Sequence, residues 1–299
     1  MLDILKKLFS RQPKTFKTDI PKRFELTSPI GQGSMSKVWR ARDSHSAKVV
    51  AVKVLDRKKT LKYESRFLGL KKPTEGEIAV KLEHPNLVRT LEHGTTTNDE
   101  QFLVMEFVEG VSLTFLVDSQ NEVMQKYRLR IMVQLGEAIE YLHQESWIHR
   151  DICPRNVLID TEGNVLLLDF GLAVPNTANF RKPGNRTGTA NYMAPELIKR
   201  QTTDHRLDIF SFAVTCFEMF SKKLPWDSAE SLEAIVQHIN KPPNDIRTFV
   251  PDIDEEVAAT IMKGLKSEPQ DRWQTMEAML VPLRDALKRS RNAAKKRKG

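Results

Sequence analysis

The stretch from His149 to Gly171 decides the fold of this chain. It reads HRDICPRN over residues 149–156, VLI over 157–159, DTEGN over 160–164, VLLL over 165–168 and DFG over 169–171. Two apolar runs flank a turn-rich segment, and this pattern predicts a buried β-hairpin. Because a hairpin returns the chain to its starting end, we expect the polar side chains of Asp151, Asn156 and Asp169 to converge there.

Composition places the chain among globular proteins. Its 299 residues are 40% hydrophobic and 29% charged, and this length allows two lobes or one large domain. No run of about 18 apolar residues occurs, so no transmembrane helix is expected. The start of the chain lacks the pattern of a signal peptide. Because Cys153 and Cys216 are the only two cysteines, we expect no disulfide framework and a cytoplasmic location.

Positive charge concentrates at the two ends of the chain. Seven basic residues and no acidic residue follow Asp285, and residues 1–23 carry a net charge of +5. We interpret 288–299 as a basic disordered tail, with binding to nucleic acid or an anionic membrane as the alternative. We interpret 1–23 as a basic extension that contains a short amphipathic helix at 1–9. The apolar face of that helix consists of Leu2, Leu5, Leu8 and Phe9. The helix either docks on the folded body or makes weak contact with an anionic membrane surface.

The remaining residues divide into a β-rich part at 24–107 and a mostly helical part at 108–287. In the first part the patterns predict strands at 24–26, 37–40, 49–55 and 102–105, and a helix at 75–82. In the second part they predict helices at 127–143, 210–220, 257–265 and 275–287. The helix at 210–220 is apolar all round, which indicates a buried position.

Six motifs follow one another between residues 24 and 285. They are GQGSMSKV at 31–38, VAVK at 50–53, LVMEFVEG at 103–110, HRDICPRN at 149–156, DFG at 169–171 and GTANYMAPE at 188–196. In order and spacing they resemble the motifs of a eukaryotic-type (Hanks-type) serine/threonine protein kinase. The resemblance implies an α+β, bilobal protein-kinase-like fold with a small β-rich N-lobe (24–107) and a larger helical C-lobe (108–287).

The same resemblance implies that the chain binds ATP and Mg²⁺. Asp151 would orient the acceptor hydroxyl, and Lys53 would bind the α- and β-phosphates. Asn156 and Asp169 would hold Mg²⁺. Further residues would cover the phosphates, sandwich the adenine and bind its edge: Ile30, Gly31, Gly33, Val38, Ala51, Met105, Glu106, Val108 and Leu158.

In this family a helix glutamate pairs with the lysine that corresponds to Lys53. Counting back from the HPN sequence at 84–86 identifies Glu75 as that partner and as part of the ATP site. Glu77 is the alternative, because Thr74 and Glu77 match the pattern of a helix-starting capping box.

Two further residues of the resemblance are structural braces. Glu196, at the end of the last motif, would pair with Arg272. Asp208, at the start of the buried helix, would brace the catalytic loop. These braces need not imply turnover.

The chain departs from the family at the catalytic loop. Cys153 stands where serine/threonine kinases usually carry a lysine that touches the transferring phosphate. Arg155 matches an arginine of tyrosine kinases, and we interpret it as a compensating cation. The alternative is a solvent-facing arginine and reduced activity. Ser36 replaces the third glycine of the glycine-rich loop, whereas Thr189 favours a serine/threonine substrate.

The activation loop carries candidate phosphorylation sites. A phosphate there could pair with the arginine that precedes Asp151. Thr187 is the first candidate and Thr177 the second, whereas the hydroxyl of Thr189 should face Asp151. The alternative is a loop that is ordered without modification.

The leading functional interpretation is an ATP- and Mg²⁺-dependent protein kinase that acts on protein substrates, with autophosphorylation as an open expectation. One alternative is a nucleotide-binding pseudokinase scaffold, for which Cys153 and Ser36 are the arguments. A kinase-fold enzyme for small molecules is disfavoured by the segment at 187–196, which resembles that of protein kinases.

Overall fold

The computed structural model describes residues 17–33, 35–184, 187–226 and 241–296. The amphipathic helix predicted at 1–9 lies outside these residues. Contacts divide the chain into two compact units. The first consists of the chain up to Leu68 with Gly76–Lys81 and Arg89–Phe107, and the second of Gly69–Glu75, Leu82–Val88 and the chain from Val108 onward.

The first unit is built on a five-stranded antiparallel sheet. Its strands are β1 (Phe24–Gln32), β2 (Ser36–Asp43), β3 (Val49–Leu55), β4 (Thr90–Thr95) and β5 (Gln101–Glu106), in the spatial order β1-β2-β3-β5-β4. Its helices are α1 (Ile20–Arg23), α2 (Arg57–Glu64) and most of α3 (Glu75–Ala79). The four predicted strands are all present, and β3 has the predicted limits.

Apolar side chains of α1 and of the sheet form a core in the first unit. The cluster consists of Ile20, Phe24, Ala41, Val50, Val52, Phe102 and Val104. Arg23 attaches α1 to two strands, because its guanidinium donates to Asp43 on β2 at 3.1 Å and to Glu92 on β4 at 2.7 Å. The one-turn helix α1 is thereby fixed to the sheet by the burial of Ile20 and by the ion pairs of Arg23.

The residue patterns do not predict α2 or β4. α2 has the strongly basic sequence RKKTLKYE and begins at a cap, where the Asp56 carboxylate accepts the N–H of Lys59 at 2.9 Å. β4 has the largely polar sequence TLEHGT, and its strand form depends on pairing with β5. A helix cap and a strand pairing do not produce a regular spacing of apolar residues. A search for hydrophobic periodicity therefore does not detect α2 or β4.

The second unit is mostly helical. Its helices are α4 (Leu113–Ser119), α5 (Glu122–Gln144), α6 (Pro195–Ile198), α7 (Arg206–Ser221), α8 (Glu255–Gly264) and α9 (Met276–Lys296). Its strands are β6 (Gly110–Ser112), β7 (Trp147–Ile148), β8 (Val157–Asp160), β9 (Val165–Leu167) and β10 (Val174–Pro175), paired as β6-β8-β9 and β10-β7. Within the described residues, no helix combines the length and the apolar character needed to cross a bilayer.

α7 is buried over most of its length, as its apolar sequence predicts. Its buried residues include the polar side chains of Asp208, Ser211 and Thr215. The two hydroxyls are satisfied, because Ser211 donates to the Tyr192 carbonyl at 2.7 Å and Thr215 to the Ser211 carbonyl at 2.9 Å. The core therefore accepts polar groups where each has a partner.

α9 extends beyond the predicted end at 287 and continues to Lys296. It thus runs through most of the segment 288–299, for which the sequence predicts a disordered tail. The physical reason is an ion-pair network, because Arg289 donates to Glu256 at 2.6 Å and to Asp254 at 2.9 Å. These bonds attach α9 to the start of α8, just after the last buried turn of α9. Residues 297–299 lie outside the described residues.

α7 and α8 approach each other closely at Gly264. A Cβ atom added to Gly264 would lie 2.6 Å from Cβ of Ala213 and 3.1 Å from Cε of Met279. Because a Cβ atom cannot rotate away, we expect Gly264→Ala to lower the free energy of unfolding by about 1–3 kcal/mol. Denaturation in urea measures this change.

A double-mutant cycle provides the control. If the loss comes from the Gly264–Ala213 contact, adding Ala213→Gly to Gly264→Ala will cost less than the sum of the two single substitutions. Strictly additive losses would contradict the steric explanation.

Candidate active site

The predicted hairpin is present. β8 and β9 pair antiparallel, with Val157 opposite Leu167 and Ile159 opposite Val165. The turn between them is closed by Asp160, whose Oδ1 accepts the N–H groups of Glu162 at 2.9 Å and Asn164 at 2.7 Å. This local side-chain bonding is the physical reason why the DTEGN sequence makes a turn.

Asp151 stands at the open end of the hairpin with both carboxylate oxygens occupied. Its Oδ1 accepts the hydroxyl of Thr189 at 2.6 Å and the Thr189 N–H at 2.8 Å. Its Oδ2 accepts Nδ2 of Asn156 at 2.9 Å and Nη2 of Arg155 at 3.2 Å. The expectation that the Thr189 hydroxyl faces Asp151 is confirmed. Four donors from three residues hold the carboxylate in one orientation.

Asn156 ends a 3₁₀ turn that begins at Pro154. Its Nδ2 donates to the backbone carbonyl of Asp151 at 2.8 Å in addition to the Asp151 carboxylate. Since the amide nitrogen is committed to these two acceptors, the amide oxygen is the atom of Asn156 that can meet a cation.

Asp169 lies beside this turn, because Leu168 donates its N–H to the Asn156 carbonyl at 2.8 Å. Its backbone has φ +61°, a region that costs energy for any residue with a Cβ atom. Its Oδ1 accepts the N–H of Gly171 at 3.0 Å. A Cβ atom on Gly171 would lie 3.0 Å from that same oxygen and 3.2 Å from Oε2 of Glu75. A side chain at position 171 would therefore make tight contacts with two carboxylates, one of which would have to shift.

The chemistry of these side chains fits Mg²⁺. Carboxylate and amide oxygens are hard ligands, and protein Mg²⁺ sites commonly use one or two carboxylates together with substrate phosphates. Among the described residues, no group of three His, Cys, Asp or Glu side chains could hold a metal by itself. Asn156 and Asp169 supply oxygen ligands of this kind, and their role toward Mg²⁺ remains a prediction.

Asp208 of α7 holds the catalytic loop. Its carboxylate accepts the backbone N–H groups of His149 and Arg150, each at 2.8 Å, and Nε2 of His143 at 3.0 Å. Burial alone would raise the pKa of Asp208, but the hydrogen bond from His143 and the charges around it hold that pKa below its ordinary value. The predicted brace is confirmed, and His143 on α5 is a supporting residue that sequence reasoning missed.

Glu196 and Arg272 form the predicted ion pair. Two parallel bonds join them, from Arg272 Nη1 to Oε1 at 2.8 Å and from Nη2 to Oε2 at 2.7 Å. Arg272 also donates to the backbone carbonyls of Arg206, Lys266 and Ser267. A buried pair of this kind is stable because its remaining donors are also satisfied.

Cys153 and Arg155 lie on either side of the site. Cys153 is buried, with Sγ 3.6 Å from the Thr189 hydroxyl. Burial and the charge of Asp151 raise the pKa of the thiol to about 11, so position 153 supplies no charge. The Arg155 side chain is 59% exposed, yet its guanidinium reaches Asp151. Arg155 is therefore close enough to serve the role predicted for it, and that role remains a prediction.

In the first unit, the residues predicted to bind ATP lie on or beside the sheet. Lys53 is a buried residue of β3, opposite Val38 on β2 and Leu103 on β5. The glycine-rich segment is turned by a bond from the Gly33 N–H to the Ser36 carbonyl at 3.0 Å. Of the other predicted contacts, Ile30, Gly31, Ala51, Met105 and Glu106 lie on β1, β3 and β5 of the first unit, whereas Val108 and Leu158 belong to the second unit. Their roles toward ATP remain predictions.

The two candidate partners of Lys53 differ in burial. Glu75 is 6% exposed, whereas Glu77 lies on the exposed side of α3. A charge on a buried carboxylate needs a partner far more than one on an exposed carboxylate. Burial thus favours Glu75, and the pairing itself stays a prediction.

The activation-loop threonines differ in accessibility. Thr177 is exposed, whereas Oγ1 of Thr187 is buried without a hydrogen-bond partner among the described residues. The ranking of Thr187 before Thr177 as a phosphorylation candidate rests on sequence position and remains a prediction. The loop is also anchored at Arg181, whose Nε donates to Asn176 at 2.9 Å and whose carbonyl accepts the N–H of Thr203 at 2.9 Å.

Sequence reasoning also missed a half-buried glutamate of α7. Glu218 of α7 accepts the hydroxyl of Tyr192, and burial raises the pKa of Glu218. The available signal was a lone glutamate in an otherwise apolar helix. The bond joins the segment after Thr189 to α7, as does the bond from Ser211 to the Tyr192 carbonyl.

Comparisons with known proteins agree with this geometry. Residues 24–283 match the family described as the protein kinase domain. The chain is 31% identical over 265 residues to a probable serine/threonine-protein kinase of Clostridium perfringens, covering 87% of this chain and 38% of that protein. It is 30% identical over 267 residues to serine/threonine-protein kinase PknB of Mycolicibacterium smegmatis, covering 87% and 42%. It is 28% identical over 268 residues to serine/threonine-protein kinase PrkC of Bacillus subtilis, covering 89% and 40%. The chain thus spans about two fifths of the length of these relatives.

The state of the two thiols gives a test of this site. Both cysteines are free and buried, and burial raises the pKa of each. For Cys153 the rise lowers the thiolate fraction at mildly alkaline pH by about a hundredfold. We expect a chromogenic disulfide reagent to react much more slowly with the folded protein than with protein unfolded in guanidinium chloride.

Cys216→Ala isolates the reaction of Cys153. Fast modification of the folded Cys216→Ala variant would contradict the burial of Cys153 beside Thr189.

Proposed function

We propose that this chain, which belongs to the eukaryotic-type (Hanks-type) serine/threonine protein kinase family, transfers the γ-phosphoryl group of ATP to serine and threonine hydroxyls of proteins. The observation that carries the proposal is the Asp151 carboxylate, oriented by Asn156, Arg155 and Thr189. A carboxylate held in this way can orient an acceptor hydroxyl and accept its proton.

Asp151 would act on the acceptor oxygen. The attacking hydroxyl must be placed in line with the transferring group, and its proton must have an acceptor as the new bond forms. The Thr189 hydroxyl already occupies Oδ1 of Asp151 at 2.6 Å. An acceptor serine or threonine would meet the same carboxylate beside Thr189, which supports a hydroxyl of similar size as the substrate group.

Asn156 and Asp169 would hold Mg²⁺ through their oxygen atoms. Bound there, Mg²⁺ would supply positive charge against the negative charge that develops during transfer. Asn156 is oriented for this role by its two bonds to Asp151, and Asp169 by its bond from Gly171. Lys53, with Glu75 as its partner, would bind the phosphates from the first unit.

Arg155 would supply the positive charge that Cys153 does not. Charge on the transferring group needs a nearby donor, and a guanidinium keeps its charge at every physiological pH. Arg155 is the described cation that already contacts Asp151, and its exposed side chain is free to follow a substrate phosphate.

The substrates are proteins of unspecified sequence, and autophosphorylation of the activation loop is part of the proposal. Exposure makes Thr177 the more accessible acceptor in this conformation. We also propose a cytoplasmic location, because the two free buried cysteines suit a reducing compartment.

A nucleotide-binding pseudokinase is the competing function. The neutral, buried Cys153 is the observation that favours it. The oriented Asp151 and Asn156 favour transfer, because a scaffold has no need of a positioned carboxylate. Incubation with labelled ATP, Mg²⁺ and casein as acceptor separates the two functions.

Substitution of Asp169 tests the metal role proposed for it. We expect Asp169→Asn to lower phosphoryl transfer at least about a hundredfold, because a charged metal ligand is replaced by a neutral one. The thermal midpoint of unfolding should change little, and ATP should bind weakly in the presence of Mg²⁺. Transfer of labelled phosphate and calorimetric titration with ATP measure these effects.

Asp252→Asn is the matched control, since Asp252 is an exposed aspartate in a turn of the second unit. The control should transfer phosphate at the wild-type rate. Normal turnover in Asp169→Asn would exclude the metal role assigned to it.

Substitution of Arg155 tests the role proposed for its positive charge. We expect Arg155→Ala to lower kcat by about tenfold or more while raising the KM for ATP much less, because the charge acts on the transition state. Adding Cys153→Lys should restore part of kcat, since lysine is the residue that the family usually carries there.

Arg291→Ala controls for the loss of one exposed arginine at a distant position on α9. If Arg155→Ala has the same kcat as Arg291→Ala, Arg155 is a solvent-facing residue and the compensation hypothesis is wrong.

A further inference from the structure

A groove of about 380 Å³ lies in the first unit, between α1, the β2–β3 pair and the turn that joins β4 to β5. Its apolar lining comes from separate segments: Ile20 and Pro21 of α1, Met35 before β2, Trp39 of β2 and Val54 of β3. Thr96, Asn98 and Asp56 stand among its polar residues. Of the residues predicted to bind ATP, Gly33 of the glycine-rich segment lies in this lining, whereas Asp151, Asn156 and Asp169 do not.

The groove is a place where the core of the first unit reaches solvent. Val54 is only partly buried, and it packs against the cluster that contains Ile20, Phe24 and Val52. Trp39 is likewise half-buried. A concave surface of this kind, with an apolar floor and a polar rim, is typical of a binding site.

The chain enters the first unit at the rim of this groove. Thr18 pairs with Thr96 in a parallel bridge, accepting the N–H of Thr97 at 3.0 Å and donating its own to the Thr95 carbonyl at 2.9 Å. Lys17 is fixed next to them by an ion pair with Asp99. The residues that precede Lys17 therefore start at the wall formed by 96–98.

We propose that residues 1–9 of the same chain bind in this groove through Leu2, Leu5, Leu8 and Phe9. These apolar residues recur at helical spacing, and Lys6 and Lys7 fall on the opposite face. Residues 10–16 form the connection, and seven extended residues span up to about 25 Å. That reach suffices to return a helix of nine residues, about 14 Å long, to a groove beside Lys17.

The tether favours this occupant over others. A segment linked by a short connection has an effective concentration of order millimolar at its site, far above the usual concentration of a second copy of the chain. Each leucine or phenylalanine that leaves water favours the bound state by about tenfold or more. A single short helix binds membranes weakly by comparison.

Binding there would also cover one side of the glycine-rich segment. Gly33, Met35 and Ser36 line the groove, and the Met35 carbonyl accepts the N–H of Asp56 at 2.7 Å. The groove and the glycine-rich segment thus share residues. The inference concerns binding alone and does not require that the chain transfer phosphate.

Trp39 provides the readout for a test on the full chain. We expect Leu5→Asp/Leu8→Asp to release the segment, shift the emission of Trp39 to longer wavelength and make hydrogen exchange in residues 1–9 about tenfold faster. Lys6→Gln/Lys7→Gln is the matched control, because it changes net charge by the same amount on the opposite face. The emission shift must vanish in a Trp39→Phe background.

A substitution on the groove side completes the test. Met35→Asp, in the loop before β2, should speed exchange in residues 1–9 as Leu5→Asp/Leu8→Asp does, while the sheet keeps its thermal stability. Equal Trp39 emission in Leu5→Asp/Leu8→Asp and in the control would overturn the proposal. It would also be overturned if protection of residues 1–9 rose with protein concentration, which indicates a second copy, or required phosphatidylserine vesicles, which indicates a membrane.

Discussion

The buried carboxylate of Asp208 is the group on which the geometry of the second unit depends. It receives two backbone N–H groups of the catalytic loop, and Arg150 is held by it at φ +69°. Backbone strain of this kind costs about 1–3 kcal/mol, and a hydrogen bond to a charged acceptor returns about 1.5–3 kcal/mol. The two magnitudes are similar, so the loop keeps its shape only while Asp208 stays ionised and in place. The loop that carries Asp151 is therefore held by a side chain of α7.

A second set of bonds extends this control to the segment after Thr189. The Tyr192 hydroxyl, the Ser211 hydroxyl and the Glu196–Arg272 pair all tie that segment to the helical core. The hydroxyl and the N–H of Thr189 both donate hydrogen bonds to Asp151. Each bond satisfies a group that would otherwise be costly to bury, so stability and orientation come from the same contacts. The Asp151 carboxylate is thus oriented by the protein's own donors, as the proposed phosphoryl transfer would require.

Much of this arrangement follows from the sequence, and the exceptions share a cause. The hairpin was predictable because turn chemistry marks it locally, whereas the Asp208 brace and the Glu196–Arg272 pair were predicted from the resemblance to the kinase family. β4, α2 and the extension of α9 were not, since they depend on a strand partner, a cap and ion pairs to Asp254. His143 and Glu218 were missed because a single polar residue in a helix has no distinguishing periodicity. The exposure of Thr177 and Thr187 depends on how side chains pack in the folded protein, which cannot be inferred from the order of residues in the sequence.

The Glu196–Arg272 pair also constrains how the chain is made. Its partners are 76 residues apart, and the Glu196 carboxylate is buried in the finished protein. At bacterial and eukaryotic elongation speeds of about 5–20 residues per second, Arg272 leaves the ribosome roughly 4–15 s after Glu196. During that interval the Glu196 carboxylate lacks the guanidinium of Arg272, and burying it unpaired would be costly. The segment around Glu196 therefore stays exposed to water. The second unit therefore closes only after Arg272 has left the ribosome, and a nascent chain stalled before Arg272 would present α7 to chaperones rather than to α8 and α9.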